Sequence, residues 1–222
     1  MTDKQLLKEK EKRERSERKL AAELVRLAAM SEYEKEYASY ILCGIDEADR
    51  GPLAGPVCAA CVILPKDEEI LYINDSKKVT PKRREALYDE IREKAVAYGI
   101  AMAGPERIDE INILNATYEA MRDALGQLSV RPDILLNDAV RIPGVSIRQM
   151  PIIGGDGKSI SIAAASILAK VTRDRLMLEM DAKYPEYGFA QHKGYGTAAH
   201  IEALKKYGPC PIHRRSFISH FI

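Results

Sequence analysis

The sequence predicts an α/β domain, a sheet with helices between and after its strands. Three observations point to it. Apolar runs of strand length (ILCGID from Ile41, Pro56 to Leu64, and ILLND ending at Asp138) alternate with stretches of helical periodicity. Gly and Pro clusters such as DEADRGPLAGP, Pro143-Gly144 and GGDG punctuate the boundaries. The 222 residues, 46% of them apolar, suffice for one buried core plus an accessory segment.

The elements follow in order. Residues 1–40 carry ten Lys/Arg and nine Asp/Glu, with Leu20, Leu24 and Leu27 as a thin apolar stripe. That pattern predicts an appended, largely solvated helix ahead of a catalytic body at 41–222. Two strands come next, and Thr80-Pro81 then opens a helix, with Thr80 as N-cap and Pro81 in the first turn, running to about Tyr98. A short strand is expected over Gly99 to Ala103. Ile108, Ile111, Tyr118, Met121 and Leu125 recur at helical intervals and predict a helix from Arg107 to Leu128, broken by Arg131-Pro132-Asp133. ILLND reads as a buried strand and Val145 to Ile153 as another, before a long helix from Ser159 to Lys183.

Composition narrows the function classes. A net charge of +1 does not announce a polyanion partner, so any basic surface is local. It is expected in the C-terminal segment, which holds Lys193, Lys205, Lys206, Arg214 and Arg215 with four histidines. No apolar run approaches the ~20 residues of a membrane span, and the N-terminus lacks a signal-peptide core, which predicts a cytoplasmic protein without membrane association. A monomer is the default. Cys58-Ala-Ala-Cys61 has redox or metal spacing but lies inside VCAACVIL, an apolar run suited to a buried strand.

The acids carry the chemistry. Asp46 and Glu47 end one apolar strand, Asp138 ends another, and Asp156 precedes an Ala/Ser-rich helix. Phosphodiester hydrolysis needs an in-line hydroxide and stabilisation of the departing oxygen, which two divalent cations ~3.5–4 Å apart supply together. Oxygen-only donors suit Mg²⁺ or Mn²⁺ better than Zn²⁺. Carboxylates crowded at the edge of an apolar core would otherwise repel one another, so metal binding is the economical reading. Ser166, Lys170 and Arg173 share one helix face and offer a phosphate-binding stripe. Asp75-Ser76-Lys77-Lys78 is a second candidate clamp, and His192-Lys193-Gly194-Tyr195 a third, with a tyrosine suited to stacking beside a phosphate.

GIDEADRGPLAGPV, NDSKK, LLND, GGDGKSISIAAASILAKVTRDR, YPEYGFAQHKGYGT and GPCPIHRRSF together resemble, in order, the signature blocks of bacterial ribonuclease HII, the type 2 ribonuclease H, from Cys43 to Phe217. The resemblance implies an RNase H-like fold, a central mixed sheet flanked by helices, with an N-terminal helical extension and a helical C-terminal segment. It also implies Mn²⁺- or Mg²⁺-dependent cleavage of RNA in RNA/DNA hybrids and at single ribonucleotides embedded in duplex DNA. On the matching positions, Asp46, Glu47, Asp138 and Asp156 would be the metal-binding and catalytic acids. Arg50 and Gly51 would read the ribose 2′-hydroxyl, Tyr195 would contact the following deoxyribose, and Lys77, Ser166, Lys170 and Arg173 would lie in blocks facing the backbone phosphates. A sliding clamp is a conceivable partner, although no clamp-binding peptide is evident at the C-terminus.

One departure stands out. Where the family's loop begins with Gly, this chain has Asp49, whose side chain and charge are expected to weaken substrate binding. Ala139 and Gly157 also depart from the usual residues, mildly. Three alternatives remain: a non-catalytic hybrid-binding protein disabled by Asp49; a type 3 enzyme, for which residues 1–40 are too short and charged to form the folded N-terminal domain; and a thiol redox protein using Cys58 and Cys61.

Overall fold

The computed structural model describes residues 3–66 and 69–222, so residues 1 and 2 of the extension lie outside it. Its centre is a five-stranded mixed sheet in the order β3-β2-β1-β4-β5. The strands are β1 (Leu42–Ala48), β2 (Val57–Ile63), β3 (Ala97–Ala103), β4 (Ile134–Asp138) and β5 (Arg148–Ile152). The β1–β2 and β2–β3 pairs are antiparallel, whereas β1–β4 and β4–β5 are parallel. The helices are α1 (Asp3–Met30), α2 (Glu32–Glu36), α3 (Pro81–Lys94), α4 (Pro105–Gly126), α5 (Ile160–Lys183), α6 (Phe189–His192), α7 (Ala198–Tyr207) and α8 (Arg215–Ile218).

Alternation along the strands splits the core in two. Ala48, Cys58, Ala60 and Val62 pack with the alanine-rich face of α5, while Cys43, Ile45, Ala59 and Cys61 pack with α4. Cys58 and Cys61 therefore point to opposite faces of β2, which removes the geometry a thiol redox pair needs. Helix α5 lies almost directly on β1. A Cβ at Gly44 would sit 2.1 Å from the Ser161 carbonyl carbon, so only glycine admits this approach.

Three boundaries differ from expectation. Helix α3 ends at Lys94, and β3 begins at Ala97 because Ala97–Ala103 pair with β2 along their whole length; Thr80 holds the N-cap position without a side-chain cap bond. Helix α4 is interrupted at Asn112 (φ 66, ψ 164), whose Oδ1 accepts from Leu114 and Asn115 N–H and restarts the helix. The strand expected over Val145 to Ile153 is confined to Arg148–Ile152.

The N-terminal extension is less solvated than its composition predicts. Leu27 and Met30 are buried in the α5-side core, Glu23 Oε1 accepts from Tyr72 N–H, and Arg26 donates to the Ile73 carbonyl. Glu34 Oε1 accepts from Ser159 Oγ (2.6 Å) and Ser161 N–H (3.1 Å), placing a carboxylate at the N-terminus of α5, where helix polarity favours an anion. Glu34→Ala is expected to lower stability by roughly 1–2 kcal/mol in urea denaturation, by unfastening the extension from α5.

Candidate active site

The parallel β1–β4 register builds the site. Ile45 pairs with Asn137, the last β1–β4 pair, so Asp46 and Asp138 follow it side by side, Asp138 ending β4 and Asp46 two residues before the end of β1. Gly155 N–H donates to Asp138 Oδ1 (2.7 Å), coupling this strand end to the single 3₁₀ turn Gly155–Gly157 that carries Asp156. Glu47 N–H donates to Asp46 Oδ1 (2.8 Å), and Ser166 on α5, whose hydroxyl donates to Ser76 Oγ, lies close enough to the same carboxylate to favour its charged form.

Asp46, Glu47 and Asp156 resist ionisation. Burial, then the charges of Glu47 and Asp138, push Asp46 well above the usual carboxylate range, against the effect of Ser166. Burial raises Glu47 despite the opposing charge of Arg50, whose Nη1 lies 3.4 Å from Glu47 Oε1. Burial and neighbouring Asp75 raise Asp156. Among the described residues no three His, Cys, Asp or Glu side chains already form a closed metal cage. The donor chemistry nevertheless fits a hard divalent cation. It is all oxygen, and Glu47 Oε2 is buried without a hydrogen-bond partner.

The expected substrate contacts divide into those facing the cleft and those built into its walls. Gly51 is exposed, and a Cβ there would lie 3.9 Å from Tyr195 Cε1, so the loop after β1 and the tyrosine face each other. Lys77 and Lys78 are exposed near the Asp156 turn.

Arg173 requires a correction. It is 0% exposed and donates to the carbonyls of Pro56, Ala54 and Lys193, so it clamps loops and does not face phosphate. Lys170 is paired with Asp49 (3.0 Å) and Asp174 (2.7 Å), and Ser166 is buried against Ser76 and Asp46. His192 binds the Tyr187 carbonyl and Gly194 N–H, while Lys193 donates to the Ala190 carbonyl; both shape their own loop. The C-terminal segment is also less basic at its surface than its composition suggests, because Arg214, His200 and His213 are buried. Arg214 donates to the carbonyls of Gly55, Arg50 and Asp49, and burial and the charge of Arg173 depress it to about 9.

Asp49 does not extend its charge toward the acids. Its backbone is left-handed (φ 67) and its carboxylate meets Lys170, Arg173 (3.3 Å) and the Tyr195 hydroxyl (2.7 Å). Burial opposes that charge, but Arg173, Lys170 and the Tyr195 bond hold its carboxyl below the usual range. Three contributors escaped the sequence reading. Asp75 lies close enough to Asp156 for its charge to raise that carboxyl; the NDSKK block contained it, but as part of a phosphate clamp. Arg214 was counted as surface charge, and nothing in the composition of the extension singled out Glu34.

The family model for ribonuclease HII matches residues 43–220. This chain belongs to the ribonuclease HII family. Ribonuclease HII from Lachnoclostridium phytofermentans is 66% identical over 201 residues, 90% of this chain and 79% of that one. The Acetivibrio thermocellus ribonuclease HII is 57% identical over 215 residues, 96% of this chain and 84% of the relative. Among solved structures, ribonuclease H2 from Pyrococcus horikoshii superposes with a TM-score of 0.66 at 29% identity, covering 79% of this chain and 92% of that one. The Archaeoglobus fulgidus RNase HII, solved in complex with PCNA, gives 0.68 at 27% identity, covering 82% and 96%. The protein is thus a ribonuclease H of type 2 with the RNase H-like fold, and no helix among its described residues is long and apolar enough to cross a membrane.

Two predictions follow from the geometry of this ribonuclease HII. In EDTA, Glu47→Gln should raise the unfolding free energy at neutral pH by about 1–2 kcal/mol, since a raised folded-state pKa makes ionisation costly to the fold. The gain should vanish below about pH 4, where the native carboxyl is protonated, and Mn²⁺ should stabilise the parent more than the variant in thermal melts. Ala139, directly after Asp138, is held at φ 54, so Ala139→Gly should stabilise by about 1 kcal/mol in the same melts.

Proposed function

We propose that this protein hydrolyses the RNA strand of RNA/DNA hybrids and cuts on the 5′ side of single ribonucleotides embedded in duplex DNA. The products would carry 3′-hydroxyl and 5′-phosphate ends, which would open ribonucleotide excision repair. The observation that carries this reading is that Asp46 and Asp138 directly follow the last β1–β4 pair, Ile45–Asn137, with an unpartnered, buried Glu47 oxygen in the same electrostatic neighbourhood. Asp46, Glu47, Asp138 and Asp156 would hold two Mn²⁺ or Mg²⁺ ions. When bound, such ions supply an activated water and stabilise the departing 3′ oxygen.

The chain's own groups prepare that site. The Glu47 amide orients Asp46, whose charged form nearby Ser166 favours, and the Gly155 amide orients Asp138. The loop carbonyls of Asp49, Arg50 and Gly55 are fixed by Arg214, so backbone at Arg50 and Gly51 is presented in one conformation to the sugar. Tyr195, 42% exposed, offers its ring opposite Gly51. Lys77 and Lys78 are exposed, Lys78 within 3.6 Å of Asp75 Oδ2, and both would serve as cations for the backbone phosphates.

An end-labelled DNA duplex with one ribonucleotide tests the reading. With Mn²⁺ or Mg²⁺ the parent should cut once, 5′ to the ribonucleotide, and leave the all-DNA duplex intact. Asp138→Asn should slow the cut by about a thousandfold or more, through lost transition-state stabilisation. Tight binding without any cut by the parent would replace this reading with that of a hybrid-binding protein.

A further inference from the structure

We propose that Asp49 is a positioning residue for Tyr195 and Lys170, an internal anion around which one wall of the cleft is built. This rests on the reading that the cleft takes a nucleic-acid duplex. The expectation from sequence was an obstruction, a carboxylate facing incoming phosphate. The geometry points the other way.

The Asp49 carboxylate is only 2% exposed. Its Oδ1 accepts from the Tyr195 hydroxyl at 2.7 Å and lies 3.3 Å from Lys170 Nζ, while Oδ2 lies 3.0 Å from Lys170 Nζ and 3.3 Å from Arg173 Nη1. The left-handed backbone (φ 67) turns the side chain into this nest, and Arg214 holds the residue's own carbonyl at 2.9 Å. Asp tolerates that conformation better than most residues. One carboxylate thus joins the 49–56 loop, helix α5 and the Tyr195 loop.

Tyr195 is fastened at both ends. Its hydroxyl is committed to Asp49, its amide donates to the His192 carbonyl, and its carbonyl meets His200 Nδ1 at 2.9 Å. Yet the residue remains 42% exposed, alongside Gly51. A tyrosine held this way presents its ring and not its hydroxyl, and it loses little conformational entropy when a sugar or base settles on it. Asp49 therefore acts on substrate through Tyr195, without touching it.

The test compares the parent, Asp49→Gly, Asp49→Asn, Tyr195→Phe and the Asp49→Gly/Tyr195→Phe double variant. Readouts are KM and kcat on the single-ribonucleotide duplex, and fluorescence-anisotropy Kd for that duplex in EDTA. Loss of a hydrogen bond to a charged acceptor predicts that Asp49→Gly and Tyr195→Phe each raise KM and Kd by about tenfold. kcat should change by less than about threefold, because the reacting atoms are untouched. Asp49→Asn, which keeps an acceptor for the hydroxyl and tolerates positive φ, should recover most of the affinity. The double variant should be no worse than either single one, since both break the same contact.

Asp49→Gly binding or cutting as well as the parent or better, or strictly additive effects in the double variant, would overturn the proposal. A parallel fall in kcat and melting temperature in every variant would do the same, by showing a purely structural role. Should the parent fail to cut at all, the functional reading falls separately. The anisotropy series still decides this one: weakened binding in the Asp49 and Tyr195 variants sustains it, and unchanged binding ends it.

Discussion

Two buried arginines govern the geometry of the cleft. Arg173 and Arg214 are both 0% exposed, and each directs its guanidinium at three backbone carbonyls. A guanidinium taken out of water is tolerated only when its donors are bonded, and unmade bonds there are far costlier than at the surface. The carbonyls of Asp49, Arg50, Ala54, Gly55, Pro56 and Lys193 are consequently fixed together. Residues distant in sequence, from the loop after β1, from α5, from the Tyr195 loop and from the C-terminal segment, thereby become one rigid wall. Buried charge thus holds the loop after β1 in place from outside its own sequence.

The opposite wall is held in tension by its anions. Parallel pairing of β1 with β4 is a requirement of the sheet, and it forces Asp46 and Asp138 side by side. Burial and neighbouring charge raise Asp46, Glu47 and Asp156, so the protein alone pays in stability for keeping them ionised. The amide bonds from Glu47 and Gly155, and nearby Ser166, offset part of that cost and leave Glu47 Oε2 unpartnered. An oxygen-preferring cation would satisfy what the fold leaves unsatisfied. Stability and proposed chemistry thus depend on the same four side chains.

Much of this was legible in the sequence, for identifiable reasons. Strands β1, β2 and β4 are near-continuous apolar runs, and the acids lie at or near the ends of β1 and β4, so strand ends and candidate ligands coincide. Helix α5 begins where Ser159 was expected to start it, with the Ser159 side chain accepting from Ile162 N–H. What failed to show was tertiary. Arginine and histidine read as surface until a fold buries them, so Arg173, Arg214 and His213 were assigned outward roles that the structure corrects. The β3 start at Ala97 depends on pairing with β2, a non-local cause that overrides local helix preference. The docking of the extension depends on a few contacts, from Arg26, Leu27, Met30 and Glu34, set in a helix whose composition is otherwise that of a solvated surface.

Glu47 and Asp49 show why charge in this loop cannot be assigned by position along the chain. They are two residues apart, yet burial raises the first, while Arg173 and Lys170 overcome burial and lower the second. The difference is conformational. Glu47 still belongs to β1 and presents its carboxylate at the strand end, whereas the left-handed turn at Asp49 swings its side chain toward α5. The turn therefore sorts the anions of one short segment into two sets, one in which burial outweighs the single nearby cation, Arg50, and one in which Lys170 and Arg173 outweigh burial. A divalent ion entering the cleft would gain from the first set and find the Asp49 carboxylate taken. That separation lets this ribonuclease HII carry an additional acid in the loop after β1 without adding a fifth like charge beside Asp46, Glu47, Asp138 and Asp156.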